Sequence, residues 1–110
     1  METLSRYRQA ITRVLSDLAE ASTGNATEIL PLFDTVNDNY LLVAAGWRGM
    51  QRTHHIIAHL RIRTGKIWVE ADNTDAAILQ QLLDSGISKA EIVLAFYSPQ
   101  KRPYTEFAVA

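Results

Sequence analysis

Three histidines are the first residues in this chain whose type could support metal chemistry. His55 and His59 lie on the same face of a predicted strand, four residues apart. At about 3.3 Å per residue this spacing is roughly 13 Å, which is too far for one metal ion. His54 points to the opposite face of that strand. The chain has no cysteine, so the sequence predicts neither a thiolate nucleophile nor a thiolate metal site.

Glu70, Asp72 and Asp75 form a group of carboxylates where a predicted strand ends and a helix begins. Carboxylate oxygens bind Mg²⁺, so an enzyme that uses these three residues is one hypothesis. We favour structural roles at a strand end, a turn and a helix start. A restriction-type nuclease site would place lysine two residues after an acidic residue, and no Asp-x-Lys or Glu-x-Lys occurs. Walker, Gly-x-Gly-x-x-Gly and Gly-x-Ser-x-Gly motifs are also absent, so we predict no catalytic, cofactor-binding or metal-binding residues.

Basic residues near the middle and the end of the chain could contact phosphate groups. The net charge is −1, so DNA binding would require a local basic patch. Solvated surface is the structural alternative. The candidate nucleic-acid contacts are Arg61, Arg63, Lys66, Lys101 and Arg102.

The elements that position these residues centre on a predicted three-stranded antiparallel meander over residues 40–70. Turns are predicted at 48–50 and 64–65,. The strand from Tyr40 to Trp47 is apolar almost throughout, which is typical of a strand covered on both faces,. The next strand alternates, and we expect one set of its side chains to face the core. That set is His54, Ile56, Ala58, Leu60 and Ile62.

Helices and further strands flank the meander within a single predicted domain, residues 1–110,. Pro31 predicts that the first strand lies at a sheet edge or is bulged, and Asp34 and Asp38 are expected to cap the turn that follows. The fold class is α+β: an antiparallel sheet of about four to six strands with a central meander, packed by an N-terminal helix and a second helix. The flanking elements are a helix over 3–21, a turn over 22–25, a strand over 27–35, a helix over 75–85 and a strand over 92–96,.

The last residues, Phe107–Ala110, are apolar and uncharged. We expect them to pack against the domain's own sheet or against another chain. An apolar terminus and an edge strand also favour a homodimer. We find no secretory signal pattern and no apolar run of the roughly 20 residues that a membrane helix needs. A cytoplasmic protein without membrane association is therefore expected.

Several blocks of this sequence resemble the XisI family, whose members are fdxN-element excision controlling factors found chiefly in cyanobacteria. The most distinctive are GKIW and LAF-x-SP-x-x-R-x-x-T-x-FAV. The resemblance covers nearly the whole chain. Tyr97, Ser88 and Asp75 depart from the residues that are usual in the family, namely histidine, proline and glutamate. The other blocks are YRQAI, FDTVNDNYLLVAAGW and DNTD.

The resemblance implies a non-catalytic accessory protein for DNA rearrangement. The founding family members are required, together with a XisH partner, when a recombinase excises a DNA element. XisH-like proteins resemble restriction-type nucleases, which fits the missing acidic-x-lysine motif here. Our leading hypothesis is therefore binding of a XisH-like partner, and the alternative is direct, regulatory DNA binding. Large aromatics dominate many interfaces, although core packing is an equal alternative for the tryptophans. The candidate partner contacts are Trp47, Trp68, Tyr104 and Phe107.

Overall fold

Five strands form one sheet, in the order in which they occur along the chain. The structure is a computed structural model that describes residues 2–21 and 27–110, so the turn predicted at 22–25 lies outside the described residues. Strands β1 to β4 are antiparallel, and β5 runs parallel to β4 because α2 lies between them in the chain,. The α+β class, the central meander and both helices are confirmed. The elements are α1 (Glu2–Ala21), β1 (Thr27–Asp34), β2 (Asn39–Arg48), β3 (Gln51–Arg63), β4 (Lys66–Asp72), α2 (Ala77–Asp84) and β5 (Ile92–Leu94).

Both helices pack on the same face of the sheet. The α1 side chains Ile11 and Leu15 are fully buried there, together with Ile78 and Leu82 of α2. They meet alternate residues of the strands, such as Tyr40 and Leu60, as the two-residue period of a strand requires. Within the described residues, neither helix combines the length and the apolar character that a membrane crossing needs.

The opposite face of β2 is only partly covered. Leu41 and Val43 are half-buried, and Trp47 is 54% exposed. The prediction that β2 is covered on both faces was therefore wrong. The apolar residues on one face of β2 pack against the helices. Those on the other face form a surface that no described element covers.

A β-bulge in β3 changes which of its side chains reach the core. Leu42 pairs with Ala58, whereas Val43 pairs with Ile56, so Ile57 is an extra residue at this point. A bulge reverses the faces of the residues that precede it relative to those that follow. Ala58 and Leu60 are buried as predicted, but Ile57 packs against the core, and Ile56 is 45% exposed. The expected core positions of His54 and Ile56 were wrong for this reason.

The C-terminal segment packs against the chain's own sheet. The Ala108 amide donates to the Ile92 carbonyl at 2.9 Å, and Ala108 forms a parallel bridge with Val93. Phe107 packs against the core. The apolar terminus was expected to pack either against the domain's own sheet or against another chain. The structure shows that it packs against the domain's own sheet, at the free edge of β5.

Asp38 anchors α1 to the sheet. Arg8 donates to both carboxylate oxygens of Asp38, at 2.8 and 3.0 Å, and the Tyr40 hydroxyl donates to Oδ1 at 2.8 Å. The hydrogen bonds from Arg8 lower the pKa of Asp38, whereas burial and this carboxylate raise the pKa of Tyr40 to about 12. Turn capping is confirmed for Asp34, which accepts from the amides at 36 and 37. The Asp38 carboxylate instead joins the turn to α1.

The depressed pKa of Asp38 predicts a pH-dependent contribution to stability. Its folded pKa lies below the ordinary value of 3.8, so the contribution is fully present above pH 3.8 and is lost as the pH falls through the folded pKa. Asp38→Asn should be less stable than the wild type near neutral pH, and the difference should shrink below pH 3.8. Urea unfolding at several pH values measures this difference. Val36→Ala, which changes an exposed side chain of the same turn and leaves Asp38 and its partners in place, is the control. A stability difference between Asp38→Asn and the wild type that stays constant with pH would contradict the assignment.

Candidate interaction surfaces

Trp68 lies on the face of the sheet that is opposite the helices, and two arginines cover it. The guanidinium of Arg63 lies 4.9 Å from the centre of the indole ring, and that of Arg102 lies 5.4 Å from it. The Trp68 indole N–H donates to the Arg63 carbonyl at 2.8 Å. These contacts leave the side chain 8% exposed. Cation–π contacts stabilise by about 0.5–1 kcal/mol at exposed sites and by about 2 kcal/mol or more when they are desolvated.

Arg102 also holds the C-terminal segment in place. Its guanidinium donates to the carbonyls of Tyr97 and Ala95, at 3.1 and 3.3 Å. The segment therefore covers Trp68 and, beside it, the fully buried Val93 of β5. As a result, the part of this face formed by β4 and β5 is covered.

The remaining part of that face, formed by β1 to β3, is apolar and exposed. Leu32 is 51% exposed, Trp47 54% and Ile56 45%. The cross-strand register places Leu30 and Leu32 of β1 beside Val43 and Leu41 of β2. We name this surface the open face, and define it by Leu30, Leu32, Leu41, Val43, Trp47 and Ile56.

The four predicted partner contacts divide into two exposed and two packed residues. Trp47 and Tyr104 are exposed, the latter by 90%. Trp68 is covered by Arg63 and Arg102. For this tryptophan, packing within the chain, which was the alternative to a partner contact, therefore accounts for its position. Phe107 packs against the core with the Lys89 ammonium 5.8 Å from its ring centre. A contact role remains proposed for Trp47 and Tyr104.

Two exposed aromatics near the C-terminus, Phe96 and Tyr97, were not predicted as contacts from the sequence. Phe96 and Tyr97 are 46% and 42% exposed, and their ring centres are 4.8 Å apart. The predicted strand 92–96 would have placed Phe96 in the sheet, but β5 ends at Leu94. Tyr97, Lys101 and Tyr104 line a shallow groove of about 260 Å³. We name Phe96, Tyr97 and Tyr104 the C-terminal aromatic cluster.

Three of the candidate nucleic-acid contacts, Arg61, Arg63 and Arg102, come together around Trp68. Arg61 is the cross-strand partner of Trp68, and Arg63 is the partner of Lys66. Arg102 reaches the same ring from the C-terminal segment, and exposed Lys101 precedes it in the chain. Arg61 also lies 3.7 Å from Glu70, a separation at which an exposed pair contributes little. We name this group the basic strip and define it by Arg61, Arg63, Lys66, Lys101 and Arg102.

Of the histidines and carboxylates considered for chemistry, His59 and Asp72 are held by contacts within the fold. Burial lowers the pKa of His59, whose Nε2 is 3.0 Å from Asn39 Oδ1. Asp72 accepts hydrogen bonds from the amide and the hydroxyl of Thr74 at the start of the loop to α2. Within residues 2–21 and 27–110, no three His, Asp or Glu side chains are close enough to hold a metal ion.

Comparison with known proteins shows similarity over nearly the whole chain. A family model described as XisI protein matches residues 1–109. The crystal structure of fdxN element excision controlling factor XisI from Anabaena variabilis ATCC 29413 is 37% identical, with a TM-score of 0.84, and the match covers 98% of this chain and 99% of that one. A XisI-like protein from the same organism is 30% identical, with a TM-score of 0.90 and coverage of 97% and 99%. No curated protein sequence matches.

The covering of Trp68 by Arg102 gives a direct prediction. In a Trp47→Phe background, which leaves Trp68 as the one tryptophan, Arg102→Ala should shift the fluorescence to longer wavelength and increase quenching by acrylamide. The variant should also lose about 1 kcal/mol of stability. Lys101→Ala, which changes the neighbouring exposed cation, should leave the spectrum unchanged. An unaltered spectrum for Arg102→Ala would show that the C-terminal segment does not cover the indole.

Proposed function

The chain belongs to the XisI family, and we propose that it is a non-catalytic controlling factor for excision of a DNA element that acts by binding a XisH-like, nuclease-related partner. The observation that carries this proposal is the match along the whole chain to a solved fdxN element excision controlling factor, together with the family match over residues 1–109. The family is not described as catalytic. A cytoplasmic location, where such a partner and DNA are accessible, is part of the proposal.

The structural use of the carboxylates supports an accessory role. Asp38 anchors α1 through Arg8, and Glu91 accepts a hydrogen bond from the Tyr7 hydroxyl at 3.0 Å. Glu91 also accepts from the Ser88 amide at 2.8 Å. Although burial opposes ionisation of Glu91, these hydrogen bonds and the contact with Arg6 lower its pKa. Both acids therefore stabilise the fold as anions.

The C-terminal aromatic cluster is the surface that we propose for the XisH-like partner. Tyr104 is the most exposed aromatic of the cluster, and the neighbouring Lys101 adds a cation at the groove. Aromatic side chains beside a cation resemble the anchors that dominate many interfaces. Arg102 fixes the backbone of this segment, so the cluster is ordered before binding and loses less entropy when a partner docks.

This proposal predicts that aromatic truncation weakens the complex. The Phe96→Ala/Tyr104→Ala variant, co-expressed with an affinity-tagged XisH-like protein, should lose at least about tenfold in affinity, as loss of interface anchors commonly does. Calorimetric titration of the purified proteins measures the change.

The matched control is Val36→Ala/Met50→Ala, which removes two large side chains that are 86% and 97% exposed in turns outside the cluster. Equal affinity for both double variants would remove the aromatic cluster from the interface. Failure of the wild-type chain to bind the XisH-like protein would remove the proposed mechanism.

Direct DNA binding is a second candidate function, and convergence of the basic strip around Trp68 favours it. The cations come from two strands and the C-terminal segment. Cation–π contact leaves the guanidinium charges of Arg63 and Arg102 in place, so their outer N–H groups could still donate to phosphate oxygens. Arg13 on α1 lies in a helix on the far side of the sheet and provides a control.

The DNA hypothesis predicts a strong salt dependence. Lys66→Ala/Lys101→Ala should weaken binding to a short duplex and reduce the slope of log affinity against log salt by about 1.8, since each phosphate contact contributes about 0.9. Gel shifts at several salt concentrations measure the slope. Arg13→Ala should bind like the wild type. If both variants bind alike, the basic strip does not contact DNA.

A further inference from the structure

The open face carries apolar residues at its centre and charged or polar residues in the rows beyond them. Leu30, Leu32 and Ile56 expose between 36% and 51% of their surface. No element within residues 2–21 and 27–110 packs over these three side chains. Contiguous exposed apolar surfaces of this kind commonly mark interaction sites. The register of the three strands shows what kind of partner fits this one.

Acidic and basic residues lie on opposite sides of the open face. On β1, Glu28 and Asp34 precede and follow the leucines, whereas on β3 the corresponding positions are His54 and Arg61. The middle strand, β2, contributes uncharged residues to the same rows. The rows, from β1 through β2 to β3, are Glu28–Ala45–His54, Leu30–Val43–Ile56, Leu32–Leu41–His59 and Asp34–Asn39–Arg61.

We propose that a second copy of this chain covers the open face, with the two-fold axis of the dimer running along β2. Rotation about this axis places β1 of one copy opposite β3 of the other. Glu28 then faces His54 of the second copy, and Leu30 faces Ile56. Asp34, whose carboxylate also caps its own turn, lies opposite Arg61, which has Glu70 at 3.7 Å within its own copy. Two aligned sheets packed about 10 Å apart allow side chains to meet in this way.

The alternative two-fold axis, across the strands, conflicts with the charges. It would place β1 against β1 and β3 against β3, so Glu28 and Asp34 would meet acidic residues. Like charges placed against each other disfavour an interface. In an isologous interface the same surface of both copies is in contact, so that surface must be complementary to itself. The open face meets this requirement, because rotation about β2 places the acidic residues of β1 opposite the basic residues of β3. This feature selects a second copy over a partner of unrelated sequence.

The C-terminal segment limits where the second copy can lie. It covers Trp68 and Val93, so the interface is restricted to β1, β2 and β3. The C-terminal aromatic cluster stays outside it. A dimer formed in this way can therefore still present one aromatic cluster from each copy.

Light scattering after size exclusion, on this protein alone, tests the proposal. The wild type should have about twice the chain mass of 12.3 kDa, and Leu32→Arg should raise the dissociation constant at least tenfold. Val36→Arg is the matched control, because Val36 is 86% exposed in the turn that follows β1 and its substitution should leave the dimer intact. A monomeric wild type, or a folded Leu32→Arg variant that stays dimeric, would overturn the proposal.

Charge exchange tests the axis with variants of exposed residues that should not disturb folding. Glu28→Lys alone and His54→Glu alone should each weaken self-association at least tenfold. An equimolar mixture should form a heterodimer as tight as the wild type. In that heterodimer the introduced lysine of one copy faces the introduced glutamate of the other, and the second contact keeps the native pair of Glu28 and His54. Circular dichroism verifies that each variant is folded. A mixture that stays monomeric would overturn the axis along β2.

Because these experiments use the chain alone, their outcome is separate from that of the XisH-like partner experiment. Self-association could fail while partner binding succeeds, and the reverse is equally distinguishable. Native mass spectrometry of the mixture identifies the heterodimer by the mass difference between the two variants.

Discussion

A sheet has two faces, and in this protein both helices pack on the same one. This constraint determines where the core lies and which side chains remain available for interactions. On the helix side, Tyr40, Leu42 and Leu60 are almost completely buried. On the other side, the C-terminal segment covers β4 and β5 through the contact between Arg102 and Trp68. The surface over β1 to β3 is therefore the largest part of the sheet that no described element covers.

The position of α1 depends on two carboxylates that lie on different parts of the chain. Asp38, in the turn before β2, binds Arg8, and Glu91, just before β5, binds Arg6 and Tyr7. Consecutive residues of one helix turn are thereby joined to the chain just before β2 and just before β5. Since unpaired carboxylates in such positions would carry a desolvation cost, their ionic and hydrogen-bonding partners are part of the fold. The groups that remain for function are aromatic and basic side chains.

Arg102 connects the two proposed binding surfaces. Its side chain packs on Trp68 within the basic strip, and its hydrogen bonds to the carbonyls of Ala95 and Tyr97 hold the segment that carries the C-terminal aromatic cluster. The surfaces proposed for a XisH-like partner and for DNA are therefore adjacent and share one structural residue. A controlling factor with such an arrangement could contact a partner that is itself bound to DNA. Self-association leaves the C-terminal aromatic cluster accessible, whereas Arg61 belongs both to the basic strip and to the proposed dimer interface.

Local sequence patterns were sufficient to predict the helices and strands, most of the strand order in the sheet, and the family. Helical spacing in α1, Pro31 in an edge strand and the turns around Gly49 and Gly65 depend on near neighbours in the chain, which is why they could be predicted. Contacts between distant parts of the chain account for the rest: the bulge at Ile57, the covering of Trp68 and the exposure of Phe96. An alternating pattern continues through a bulge without any change in the sequence, because strand register is set by pairing with another strand. Coverage of a side chain likewise depends on residues far away in the chain, as Arg102 and Trp68 show.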